Sequence, residues 1–464
     1  MIKAALKILI SLLTLSLAQG LTFAQIPEDA EREFELAVDQ YTINYQSLMN
    51  ARGVSRNRSE RRRRVSSQET LREITDAFLL RGAPPLSEYV GDSSLEDITA
   101  ALRNNFPEGT ALIFYAYKGE SLRIWLVDQT GLQAYSSDFV PQRKLESAIY
   151  DLRIALGVDS LQASRAPALL NDVPAPPRSI EPARTKLSAE QAIAQVTAML
   201  LPPVVAKHLD SVRHLIVAPI LGLGTVPYAV LRPFQSDAFL IDKMSISVVP
   251  SLFDVEGRTR EWTPSYQKPL VIGNPYLPPS RRWRVPPLPG AQDEAQSIAG
   301  LVNARPLIGR QATRRKVIAR AGRADFLYFA THGVASSDDP LSGGFLFLSA
   351  RTLAGGFWTA KEVQNSKLNA KIAILSACQT GLGRVHDAGV IGLSRAFQIA
   401  GVPRVVMSLW SVNDRATAEL MKAFVKYLRT NIPSESLRLA MLDVRRQRPA
   451  PSQWASFVLF GTPR

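Results

Sequence analysis

Asp325-Phe-Leu-Tyr-Phe-Ala-Thr-His-Gly333 and Lys371-Ile-Ala-Ile-Leu-Ser-Ala-Cys-Gln-Thr-Gly-Leu-Gly383 share one pattern: an apolar run that ends in a reactive side chain. Within each run consecutive residues are apolar, so both faces of the strand they form would have to be covered. Strands covered twice belong to parallel sheets sandwiched between helices. Further apolar runs at 214–220, 269–273, 343–348 and 404–409 alternate with helical spacing at 188–201, 291–302, 312–321, 389–400 and 413–430. The pattern predicts a three-layer α/β fold with a mostly parallel sheet.

Such sheets place their chemistry beyond the carboxyl ends of the strands. His332 and Cys378 stand at two of those ends. If the two strands are neighbours, ~4.8 Å apart, both side chains reach one substrate from one edge. A thiolate is a nucleophile, and an imidazole can take the thiol proton and return it to a leaving amine. Gly333 puts no side chain in the way of its own N–H, which with the N–H of Cys378 would form an oxyanion hole worth ~3 kcal/mol per donor. A lone cysteine is ordinarily an inert small hydrophobe. The histidine at the matching strand end shifts the reading to a nucleophile and its base.

Other uses of these residues lack their parts. His386 is a second candidate base but follows no strand, and His208 and His214 flank an apolar run as packed or surface histidines. Gly381 and Gly383 are not followed by the Lys-Ser or Lys-Thr of a phosphate loop, and His386 stands where a dinucleotide fingerprint needs glycine. No G-x-S-x-G elbow occurs, and four histidines with one cysteine show no metal-ligand spacing. No cofactor and no metal are expected.

Working outward, the chain has 464 residues, 46% hydrophobic and 21% charged, the composition of a globular protein of two to four domains. Its single cysteine excludes an intramolecular disulfide framework and zinc sites built on paired thiolates. Lys3 and Lys7 precede the apolar stretch Ile8 to Ala18, with small residues at Gly20 and Ala24 offering cleavage points. This has the form of a secretory signal, and its apolar core is well short of the ~20 residues that span a bilayer as a helix. The mature protein is expected to be exported, to the periplasm or outside the cell, with no transmembrane segment.

The net charge is +14, and the stretch Ala51 to Arg64 alone holds seven arginines against one glutamate. Arg61, Arg62, Arg63 and Arg64 have no aromatic residues between them for base stacking, so a solvated linker or contact with an anionic surface is expected and nucleic acid is not. Helical spacing brackets this run at 28–50 and 66–80, a hairpin pattern follows at 111–117 and 122–127, and helix returns at 145–156. Residues 164–185 are rich in proline and alanine and form an expected linker. Were the nucleophile and base to cleave peptide bonds, the basic run and this linker would both be expected to be open to cutting by the chain itself.

Together with Ala396-Phe-Gln-Ile-Ala-Gly401, Ser408-Leu-Trp-Ser-Val-Asn-Asp414 and Trp454-Ala-Ser-Phe457, the two opening stretches resemble the CHAT domain family over roughly residues 110–464. The resemblance implies a caspase-haemoglobinase-like fold of the separase and gingipain clan, with His332 and Cys378 matching the catalytic dyad. Read with the signal, helical and linker patterns above, the chain is expected to divide into a signal peptide (1–24), a helical region with the arginine-rich linker (25–105), an amino-terminal part of the CHAT region with the Pro/Ala linker (106–185) and the caspase-like core (186–464). The expected activity is cysteine endopeptidase on a protein or peptide substrate, under a protein regulator. The alternative is a catalytically idle scaffold that binds partner proteins. Many relatives carry helical-repeat arrays, yet no 34-residue self-similarity occurs here. Ser376 stands where related proteases place an acidic residue to hold a basic substrate side chain. Asp414 with Trp410 is the remaining candidate for that wall, and Asp414 serves equally as a helix N-cap.

Overall fold

The apolar runs pair side by side. The computed structural model describes residues 26–27, 29–37, 94–156, 187–219, 221–249, 255, 261–280, 285, 287–334, 344–376, 387–410 and 414–463. In chain order the strands are β1 (Thr110–Lys118), β2 (Ser121–Asp128), β3 (Gly131–Phe139), β4 (His214–Ala218), β5 (Ser245–Val248), β6 (Pro269–Pro275), β7 (Leu307–Gly309), β8 (Phe326–Ala330), β9 (Gly333–Val334), β10 (Phe345–Phe347), β11 (Phe357–Thr359), β12 (Ala373–Leu375), β13 (Arg404–Ser408) and β14 (Phe457–Gly461). The longer helices are α1 (Leu95–Asn105), α2 (Gln142–Ala155), α3 (Ala189–Leu200), α4 (Pro289–Leu301), α5 (Arg314–Ala321), α6 (Asp387–Ile399), α7 (Asp414–Tyr427) and α8 (Pro433–Gln447).

Among the described residues, the main sheet has 11 strands in the order β3-β2-β1-β4-β5-β14-β13-β12-β8-β6-β7. β1–β2, β2–β3 and β13–β14 are antiparallel, and every other neighbouring pair is parallel. This is the mostly parallel α/β sheet the sequence predicts. Because β1 pairs with β4, the strands of residues 110–139 extend the sheet of the core.

Alternation along β1 shows the layering. Ala111, Ile113 and Tyr115 pack with Leu145, Ile149 and Leu152 of α2 and with Ile193, Val196 and Leu200 of α3. Leu112 and Phe114 point the other way, to Leu95, Ile98 and Leu102 of α1 and to Phe34. Both α1 and α3 begin in a capping box, Ser94 with Asp97 and Ser188 with Gln191, which satisfies backbone N–H groups that the first turn leaves over. On β6, Gly273 lets α4 approach closely: a Cβ there would lie 2.4 Å from the Cβ of Ala295.

Two departures from the sequence pattern have clear causes. The run at 343–348 is read as part of the main sheet, but its strand β10 pairs antiparallel with β9 and β11 in a small second sheet. Only residues 335–344 join β9 to β10, fewer than the dozen or more a parallel crossover requires. The helix α8, passed over in the pattern, shows a buried stripe of Leu437, Ala440, Met441 and Val444 at helical spacing. Of the expected amino-terminal helix, residues 30–37 are helical. The expected signal (1–24), helix 66–80, linker 164–185 and Arg61 to Arg64 lie outside the described residues.

His214 opens β4 with Nδ1 2.7 Å from Ser245 Oγ, which in turn donates to Ser434 Oγ at the start of α8 (3.1 Å). Burial, reinforced by Arg213 and Arg438, lowers its pKa below the ordinary 6.5. The unfolded chain therefore binds this proton more readily than the folded one. The stabilisation is present above the ordinary imidazole value and is lost as pH falls through the lower, folded one. In urea titrations from about pH 7.5 down to about pH 5.5, the wild-type chain is expected to lose more stability than His214→Asn; parallel slopes would exclude this contribution.

Candidate active site

The candidate site is built on the two strands quoted first. β8 and β12 are adjacent and parallel, in the register Ala373↔Leu327, Ile374↔Tyr328 and Leu375↔Phe329. Neither is an edge: β13 flanks β12 and β6 flanks β8, and every residue of both strands is buried. His332 follows Phe329 by three positions, as Cys378 follows Leu375. Cys378 and the second candidate base, His386, lie outside the described residues.

His332 is held by the small sheet. The Thr331 hydroxyl donates to the Phe347 carbonyl at 2.7 Å, and the Phe347 N–H donates to the His332 carbonyl at 2.9 Å. The imidazole meets the Phe347 ring edge-on, with centroids 6.0 Å apart. Phe347 is fixed in turn by Phe345 and Phe357, whose rings stack at 4.1 Å. The outcome is a histidine only 3% exposed, set in a braced position two residues after β8.

Gly333 is the first residue of β9 and lies opposite Leu346 on β10. In an antiparallel pair, bonded and non-bonded positions alternate. The bond from Phe347 to His332 makes that position the bonded one. At the next position the Gly333 N–H therefore turns away from β10, as an oxyanion donor at this place would have to.

Beneath the strand ends lies a polar group that the sequence pattern hides. Tyr328, fully buried within β8, donates to Glu294 Oε1 on α4 at 2.7 Å and is hydrogen-bonded to Ser376. Burial raises the tyrosine pKa well above its ordinary value, with the Glu294 charge and hydrogen bond adding to the rise, so the hydroxyl keeps its proton and acts as a donor. Ser376, a sequence candidate for substrate contact, is placed as a half-buried strut at the end of β12. Trp410, the other wall candidate, is fully buried and donates through Nε1 to the Ser452 carbonyl at 2.9 Å, a packing position. Asp414 opens α7. The only sequence trace of the Tyr328 group is one hydroxyl inside an otherwise apolar strand.

Removing the Tyr328 hydroxyl deprives a buried carboxylate of one donor without changing the packing of the ring. Tyr328→Phe is expected to destabilise the fold by about 1–3 kcal/mol. Equilibrium denaturation checks this; an unchanged midpoint would show that the contact contributes nothing.

The CHAT domain family model matches residues 190–462. The chain is 30% identical over 295 residues to tetratricopeptide repeat protein 28 of Homo sapiens and 29% identical over 282 residues to that of Mus musculus. These alignments cover 54% and 51% of this chain but 12% of each relative, so the chain spans a small fraction of their length. Among solved structures, the separase–securin complex of Saccharomyces cerevisiae aligns with a TM-score of 0.49 at 10% identity, covering 86% of this chain and 34% of that chain. The Arg-specific cysteine proteinase gingipain R aligns with a TM-score of 0.36 at 12% identity, covering 59% of this chain and 67% of that one.

Proposed function

Because the chain belongs to the CHAT domain family, we propose that it is a cysteine endopeptidase with His332 and Cys378 as its catalytic pair. The observation that carries the reading is the parallel register of β8 and β12, which starts the two loops from one sheet edge at matched positions. In this mechanism His332 takes the thiol proton, and the Cys378 sulfur attacks the carbonyl carbon of a peptide. The N–H groups of Gly333 and Cys378 hold the oxyanion, and the imidazolium returns its proton to the departing amine. Water then attacks the thioester, with His332 again as base, to release the acid product and the free thiol. On the same reading the substrate is a protein or peptide, and the enzyme works after export and removal of residues 1–24.

One observation favours a second reading, a scaffold that binds partner proteins without cutting them: His332 is 3% exposed. A peptide pool incubated with the mature protein, with cuts mapped by mass spectrometry, separates the two. The peptidase is expected to lose about 10²–10⁴-fold in kcat/KM with His332→Ala and all cleavage with Cys378→Ala. Equal cleavage by all three proteins would refute the dyad, and no cleavage by any would leave the scaffold. The sole cysteine also permits a direct count, since one alkylated thiol per chain should abolish activity completely.

A further inference from the structure

Residues 30–37 form two helical turns that meet the rest of the protein along one stripe. Ala30 and Phe34 are fully buried, Glu33 and Ala37 are half-buried, and Glu31, Arg32, Glu35 and Leu36 are exposed. Positions 30, 33, 34 and 37 are i, i+3, i+4 and i+7, the anchors of a helix laid in a groove. The Phe34 ring stands edge-on to Phe114 of β1 at 5.5 Å and to Trp125 of β2 at 5.9 Å, in one cluster with Leu95, Ile98 and Leu102 of α1.

The polar contacts are equally specific. The Trp125 indole donates to the Ala30 carbonyl at 3.0 Å. The Glu33 carboxylate accepts from the Tyr135 hydroxyl at 2.6 Å and from Lys118 at 3.2 Å, and it pairs with Arg123 at 2.5 Å. Arg123 and Glu33 keep 12% and 15% of their side-chain exposure, so this pair is shielded from solvent, unlike that with Lys118, which is 67% exposed. Burial alone would raise the Glu33 pKa, but the Tyr135 hydroxyl and the two cations outweigh it and hold the pKa below the ordinary value.

An isolated helix of fewer than ~12–15 residues is marginal in water, so these two turns owe their shape to the groove. The floor and wall of the groove come from β1, β2, β3 and α1. Residues 38–93 separate the helix from α1 along the chain.

We propose that the groove between α1 and β1–β3 is a helix-docking site and that residues 30–37 are its built-in ligand, held by contact and not by covalent connection. A chain cut within residues 38–93, where Ala51 to Arg64 offers seven arginines to a basic-specific protease, keeps its amino-terminal piece. The ligand class is a short amphipathic helix of the form Ala-x-x-Glu-Phe-x-x-Ala. Its aromatic ring fills the slot beside Phe114 and Trp125, and the carboxylate one position earlier meets Arg123 and Tyr135. Its first small residue brings a carbonyl to the Trp125 indole. The proposal is independent of peptidase activity, because no atom it uses belongs to the candidate site.

The test uses the full chain with a recognition sequence for a site-specific protease inserted between Gly53 and Val54. After complete cutting, the amino-terminal fragment is expected to co-elute with the remainder in gel filtration. A synthetic peptide of residues 26–40 in excess should displace it, and the same peptide with Phe34→Ala should compete at least about 10-fold less well. Both peptides meet the same folded receptor, so misfolding of a variant cannot imitate the result. Separation of the wild-type fragment on the first passage, or equal competition by the two peptides, would overturn the proposal.

Discussion

Three backbone pairings, Ala373 with Leu327, Ile374 with Tyr328 and Leu375 with Phe329, constrain the rest of the molecule. Parallel strands deliver their carboxyl ends to the same edge of a sheet, so one register decides which loops can share a substrate. A slip of one residue would turn every side chain of β12 to the opposite face and would move Ser376 away from Tyr328. The burial of both strands is what makes that slip costly.

The edge thus defined is braced from two directions. Above β8, the small sheet fixes His332 through Thr331 and Phe347, with the Phe345–Phe357 stack behind them. Below it, Glu294 of α4, Tyr328 of β8 and Ser376 after β12 form a buried polar contact across three elements. Buried polar groups are costly when unmatched and rigidifying when matched, and the positions of these two braces agree with a site that must hold angstrom-scale geometry.

The other end of the sheet is organised by different physics. Strands β1 to β3 continue the main sheet, but their outer face is closed by α1 and by two helical turns from an earlier part of the chain. There the specificity lies in side chains, an aromatic slot and a shielded carboxylate–guanidinium pair, and not in backbone pairing. Among the described residues, one 11-stranded sheet thereby carries both the edge of the candidate site and the face on which residues 30–37 lie.

The alternation of apolar runs with helical spacing was enough to predict the layered, mostly parallel sheet, because hydrophobic periodicity is a local property that survives without knowledge of partners. His332, Gly333 and Cys378 stood out for the same reason, as polar punctuation at the ends of apolar strands. Partners were beyond it: that β8 adjoins β12, that β10 leaves the main sheet, that Tyr328 meets Glu294, and that Phe34 fills a slot beside Trp125. Each of those contacts joins residues distant in the chain, and a sequence lists its residues in one dimension, whereas burial and hydrogen bonding are settled by which surfaces meet in three.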